Sequence, residues 1–137
     1  TPKKVNPVKI EFKKEGELTL YKSDSILSKL DIEIAETDYE TETGLMHRTE
    51  MQDSQAMLFI FPEQNYRSFY MKNTYIPLDI IYINENKKVV SLQKNAKPLD
   101  ETSLPSNKLA KYVLEVKAGL SDKWNLAVGD SISFSRQ

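Results

Sequence analysis

Residues 69 to 83 read FYMKNTYIPLDIIYI and place Lys72, Asn73 and Asp79 inside the most apolar part of the chain. Polar groups in such surroundings must be paired, or must stand at a strand end that solvent or a ligand can reach. On an extended chain alternate residues share a face, so Phe69, Met71 and Asn73 point one way and Tyr70 and Lys72 the other. Asp79 opens a segment, 78–83, that is apolar on both faces, and a carboxylate there needs a cation or backbone amides. Lys72 and Asn73 are held near it by the short 73–77 connection, and Arg48 is the third candidate partner. If closed, Arg48, Lys72, Asn73 and Asp79 form a polar network that fixes the loop and the register. If open, two cations beside the ring of Tyr70 suit a carboxylate, phosphate or sugar-like ligand. The candidate ligand-binding residues are therefore Arg48, Tyr70, Lys72, Asn73 and Asp79.

Acid–base chemistry has two candidates, Asp79 and Glu115, which would serve glycoside hydrolysis if their carboxyl groups stood about 5 to 9 Å apart. Glu115, between Val113 and Lys117 on a strand, also reads as an outward residue or as a partner for Arg48 or Lys72. Other chemistries lack parts. The chain has no cysteine and one histidine, His47, so neither a thiolate nor a zinc site of the usual kind can be assembled, and no metal or cofactor is expected. No Gly-x-Ser-x-Gly elbow presents a serine. Ser68 and Lys72 on one strand would stand about 13 Å apart, too far for proton transfer. Tyr66, Tyr70 and Tyr75 offer a stacking platform for a sugar or a single strand, or anchors for strand packing. The 19 basic and 20 acidic side chains leave a net charge of −1, which gives nucleic acid no field to follow.

These residues need a scaffold, and the pattern from Glu17 onward is mostly of period two. LTLY (18–21) is a short strand. In LDIEIAE (30–36), Leu30, Ile32 and Ile34 alternate with Asp31, Glu33 and Glu36, the mark of a half-buried strand with one wet face. Thr37 with Glu40 has capping-box spacing and predicts a short helix over 38–47. AMLFIF (56–61), halted by Pro62, suits a central strand covered on both faces. Further strands are expected at 68–72, 78–83, 89–93, 111–119 and within 128–135, with a helical turn at 120–125. The 96–108 loop, with two prolines, is long for a compact domain and reads as functional or mobile. The count implies a mainly β domain, 17–137, built as an antiparallel sandwich or partly closed barrel with one or two short helices. Residues 1–16, lysine- and proline-rich, read as a tether or poorly ordered lead-in.

The blocks TGLMHR (43–48), MLFIF (57–61), FYMKNTYIPLDIIYI (69–83), YVLEVKAG (112–119) and VGD (128–130) resemble, in order and spacing, the prokaryotic family catalogued as domain of unknown function 192. The resemblance spans roughly residues 30 to 135. It implies a jelly-roll-like β fold and an exported or lipid-anchored location, with the membrane reached only through a removed signal or anchor. Tyr70 stands where that family often has tryptophan. The expected function is an extracytoplasmic binding or accessory domain for an anionic or carbohydrate-like ligand or a protein partner. The alternative is a hydrolase-like enzyme using Asp79 or Glu115 as acid or base.

Overall fold

The computed structural model describes residues 9–137. Its elements follow in the order β1 (Gly16–Lys22), β2 (Ser25–Ala35), α1 (Asp38–Thr43), β3 (Gln55–Asn65), β4 (Ser68–Phe69), β5 (Leu78–Ile83), β6 (Val89–Ala96), β7 (Leu104–Pro105), β8 (Ala110–Lys117), α2 (Leu120–Lys123) and β9 (Ser131–Arg136). Seven strands form one sheet in the order β6-β5-β8-β3-β2-β1-β9, and β4 pairs with β7 in a small second sheet. The sheet is mixed, because β2 and β3 run parallel while every other neighbouring pair is antiparallel. A parallel pair needs a crossover, and residues 36–54, with α1, supply it. The sheet curls until Lys88 bridges Ser131, without closing into a barrel.

Both faces of this sheet are apolar. Leu18, Leu20, Ile32, Leu58, Ile81, Leu114 and Ile132 fill the concave side. Met57, Phe59, Leu78, Ile80, Tyr82 and Val113 make a second core on the other side. β5 is consequently buried at each of its six positions. The second core is roofed by connections: Leu45, Met51, Met71, Ile76 and, less buried, Leu104 pack onto it.

Several expected boundaries move, each for a local reason. The helix ends at Thr43 rather than at 47, because Gly44 turns the chain at φ 48°, ψ −128°, a region open essentially to glycine. Its N-terminus carries the capping box of Thr37 and Glu40. Pro62 does not stop β3; the strand continues to Asn65 across a register irregularity, where a missing N–H is tolerated. The strand expected over 68–72 shortens to Ser68–Phe69, because Asn73 adopts φ 54° and the Thr74 amide bonds the Met71 carbonyl, so the chain turns. The 96–108 loop is tied down: the Met71 amide donates to Asp100, the Leu99 amide to Thr74 and the Ser106 amide to Arg67. Glu33 does not lie on a wet face; it is buried under the roof. The lead-in falls partly outside the described residues. Over 9–15 the chain has no regular secondary structure, yet Glu15 bonds the Ile32 carbonyl through its amide and the Ile34 amide through its carboxylate.

Asp79 is a clasp. Fully buried on the concave-side register of β5, it accepts hydrogen bonds from the amides of Asn95 (2.9 Å), Gly119 (3.1 Å) and Ser121 (3.1 Å) and from the Ser121 hydroxyl (2.6 Å). Neither Lys72, Asn73 nor Arg48 reaches it; backbone amides and one hydroxyl do their work, joining β5, β6 and the start of α2. Asp79→Ala is expected to strand these donors and lower stability by about 3 kcal/mol or more. Chemical denaturation compared with Asp79→Asn, which retains one acceptor, checks this.

Candidate functional site

The sequence candidates scatter into separate environments. Arg48 forks onto Glu33, its Nη1 on Oε2 and its Nη2 3.2 Å from Oε1, and both side chains are nearly buried. The pair pins the 44–48 turn to β2 and leaves Arg48 Nε buried without a partner. Lys72 is exposed on the 71–74 turn, and Asn73 beside it is half-buried. The Asn73 carbonyl accepts from the His47 amide at 2.8 Å, so backbone, not side-chain charge, joins this turn to the one carrying Arg48. Asp79 is sealed on the concave-side register. Glu115 lies on the other: in the β5–β8 ladder Asp79 faces Val116 and Glu115 faces Ile80, so the two carboxyls project to opposite faces. The paired-carboxylate arrangement therefore does not form. Glu115 does not pair with Arg48 or Lys72 either, and it is not an outward residue.

What the fold does assemble is a groove over the roofed face. An outer chamber of about 270 Å³ is lined by Phe61, Tyr66, Arg67, Ser68, Phe69 and Tyr70, with Thr41 and Glu42 opposite. Thr41, Glu42, Phe69 and Tyr70 also line an inner cleft of about 40 Å³, whose deeper walls are Gly44, Phe59, Thr74 and Glu115. The two volumes adjoin along these four shared residues.

Each wall has a local cause. Phe59 and Phe61 alternate on one face of β3, and Phe69 meets both rings edge-on, at 4.9 and 6.4 Å between centroids. Arg67 lies 3.7 Å over the Phe61 ring and donates to the Ala110 and Glu63 carbonyls, so its charge is committed to holding the wall. The Tyr70 hydroxyl donates to Glu42 at 3.4 Å, spanning the groove from the 70s loop to α1. At Gly44 a Cβ would come within 3.2 Å of the Phe59 ring, so glycine lets the end of α1 rest on it. Tyr75 is exposed but does not line the groove.

Glu115 is the unusual member. It sits in the middle of the sheet between Met57 and Ile80, and only 5% of it is exposed. Among the described residues no side chain or amide donates to its carboxyl, and desolvation raises its pKa from near 4.5 to about 8. Tyr82, on the same face, is also pushed up by burial and by Glu115; its hydroxyl donates to the Leu104 carbonyl. Sequence patterning placed Glu115 on a strand but missed its setting, which depends on Phe59, Phe69 and Gly44 arriving from three other segments. The signal available was a lone carboxylate in the run YVLEVK, whose other inward positions are apolar.

A larger open cleft, about 350 Å³, lies between residues 13–15 and the 136–137 end. Apart from Lys13, its charged groups are engaged: Arg136 forks onto Glu36, Lys14 binds Glu17 and Asp31, and Glu15 and Glu40 accept backbone amides. No group of side chains among the described residues is arranged to hold a metal ion, and no helix is long and apolar enough to cross a membrane.

The family model of DUF192, described as Uncharacterized ACR, matches residues 19–134. Among solved structures, the chain is similar to a protein of unknown function from Novosphingobium aromaticivorans DSM 12444, with 34% identity and a TM-score of 0.82, over 85% of this chain and 83% of that one. It is also similar to a protein of Sinorhizobium meliloti 1021 that carries a provisional transcription-regulator name, with 31% identity and a TM-score of 0.84, over 93% of this chain and 98% of that one. A search of the curated proteins gives no match.

Two measurements follow from these geometries. Arg48→Ala, which leaves Glu33 buried and uncompensated, is expected to cost about 3–5 kcal/mol, whereas Arg48→Met with Glu33→Leu should recover most of it in a denaturation series. The Glu115 carboxyl keeps a proton in the native state that the unfolded chain has already lost between about pH 4.5 and 8. Unfolding therefore releases a proton across that window, and stability falls as pH rises through it, by roughly 3–5 kcal/mol in total. Glu115→Gln should remove that slope and be the more stable protein above pH 8, as read by denaturation at a series of pH values.

Proposed function

The chain belongs to the family of domain of unknown function 192, and from that premise we propose that it is a non-enzymatic binding domain whose groove takes a carbohydrate-like ligand. The observation that carries this reading is the aromatic lining of the outer chamber, where the exposed rings of Tyr66 and Tyr70 stand beside Phe61 and Phe69, next to the cleft that Glu115 lines. Aromatic faces stack on the C–H surfaces of a sugar ring, while Glu42, Ser68 and Thr41 supply hydrogen-bonding groups along the rim. An anionic ligand finds less here, because Arg48 is neutralised by Glu33, Arg67 is tied to carbonyls, and Lys72 does not line the groove. A net charge of −1 and a groove ending in carboxyls also give phosphates of nucleic acid little purchase, whatever the neighbour's provisional name. The reading carries with it a place outside the cytoplasm, supported by the exported character that the family resemblance implies.

A hydrolase-like reading retains one supporting observation. Glu115 has the raised pKa of a general acid, and Glu42 lines the same cleft. Asp79, sealed and fully hydrogen-bonded, has no part in it.

Calorimetric titration with neutral oligosaccharides tests the binding reading. Tyr66→Ala and Tyr70→Ala should each weaken binding about tenfold, the value of one lost aromatic contact. Lys72→Ala should leave binding unchanged. Loss of binding in Lys72→Ala with indifference to both tyrosines would overturn the assignment. Release of reducing ends, abolished by Glu115→Gln, would favour the enzyme.

A further inference from the structure

We propose that the inner cleft is a subsite for a primary ammonium group, which Glu115 receives as a carboxylate after giving up its proton. The inference deepens the binding reading: it rests on the groove being a ligand site, but not on the ligand being a saccharide.

Three observations converge on it. First, Glu115 as a residue is nineteen-twentieths buried and lies between Met57 and Ile80, its carboxyl lacks a donor among the described residues, and it lines a cavity. Secondly, the charged groups lining that cavity are Glu115 and Glu42, with neither lysine nor arginine among them, and its walls include the Phe59, Phe69 and Tyr70 rings. Carboxylates and ring faces attract the same guest, a cation. Thirdly, the volume of about 40 Å³ exceeds the 10–15 Å³ that one water needs on this measure by about threefold, which fits a head of a few heavy atoms. The cleft shares Thr41, Glu42, Phe69 and Tyr70 with the outer chamber, the side from which such a head would arrive.

The surrounding titratable groups are already engaged. Tyr82 from β5 donates to the Leu104 carbonyl, and Tyr70 donates to Glu42. Across Met57 on β2, Glu33 is bound by Arg48. Lys117, two residues along β8, pairs with Asp53. Among the described residues no cation stands by Glu115, so a ligand ammonium would be the first positive partner of its ionised form. Near neutral pH the carboxyl is protonated, in keeping with its raised pKa of about 8. The balanced step is R–NH₃⁺ plus Glu115–COOH giving the R–NH₃⁺···⁻OOC–Glu115 pair and one H⁺ released to solvent. Binding then tightens as pH rises toward 8.

Butylammonium chloride is the probe. Titration near neutral pH into the wild type, in phosphate and in HEPES, should show heats that differ by the buffers' ionisation enthalpies, corresponding to nearly one proton released per amine. That number should decline above pH 8. In Glu115→Gln, whose fold is checked by near-ultraviolet circular dichroism, affinity should fall about tenfold or more and the buffer dependence should vanish. Because a variant can fail to fold, the carboxyl carbon of Glu115 is also followed by NMR in the wild type, where butylammonium should shift it to the ionised position. Butanol should produce neither effect. Binding equal in wild type and Glu115→Gln, binding without proton release, or no binding up to about 100 mM would each overturn the proposal. Tyr66→Ala separates the two readings: it should weaken oligosaccharides and leave butylammonium unchanged. Failure of oligosaccharides alone would count against the saccharide reading and leave the ammonium subsite standing.

Discussion

The sheet of this protein is apolar on both sides, and nearly everything else follows from having to cover the second side. The concave face covers itself by curling until the β5–β6 turn meets the start of β9. The other face cannot do so, and β5, buried at all six positions, would leave Leu78, Ile80 and Tyr82 in water. Side chains of this size contribute about 1.5–3 kcal/mol each on burial, which a domain of marginal stability cannot forgo. The connections therefore become a roof. The crossover through α1, the 70s turn and the 96–108 loop are held to one another by backbone hydrogen bonds, and each drops apolar side chains onto the sheet. A roof built from three loops has seams, and the groove is one of them.

Four carboxylate residues are buried among the described residues; Asp130 is paired with Lys22 and the Ala127 amide, and the other three are met in contrasting ways. Asp79 is satisfied by three amides and a hydroxyl, Glu33 by a forked guanidinium, and Glu115 by nothing in the protein. The first two solutions make structure: one ties β5 to β6 and α2, the other anchors the turn after α1. Burying the third without a partner is costly, and desolvation answers by keeping it protonated. An apolar residue would fill the same place without that cost. The cost falls beside a cleft lined by aromatic rings, the setting on which the proposed ligand site rests.

Much of the local structure was legible in the residues. The capping box of Thr37 and Glu40, the strand 78–83, the turn at Gly119 and the alternation of Leu30, Ile32 and Ile34 are all short-range patterns, and all appear in the fold. Alternation misled where it relied on charge to mark the wet face. Glu33 and Glu115 stand where alternation and charge read a wet face, and the roof makes those positions interior. The sequence put forward Tyr66, Tyr70 and Tyr75 together, as a stacking platform or as packing anchors; that Tyr66 and Tyr70 line a groove with Phe61 and Phe69 while Tyr75 does not was not legible in it.

By itself, the sequence determined a cysteine-free, charge-balanced, mainly β domain, its family, and the rule that Asp79 could not remain unpaired. The family shows in the order and spacing of its motif blocks; the other properties rest on composition, period-two patterning and the free energy of burying a charge, which act over a few residues. The tertiary structure alone decided who pairs with whom. Arg48 went to Glu33 instead of Asp79, Lys72 stayed in solvent, and Glu115 came to the floor of the groove. Such choices depend on a parallel β2–β3 pairing and on contacts between distant segments, as when Gly44 and Phe59 meet Glu115, more than fifty residues further on, around the inner cleft. The side-chain period of a strand says that two residues share a face, but not what the rest of the chain will lay upon it.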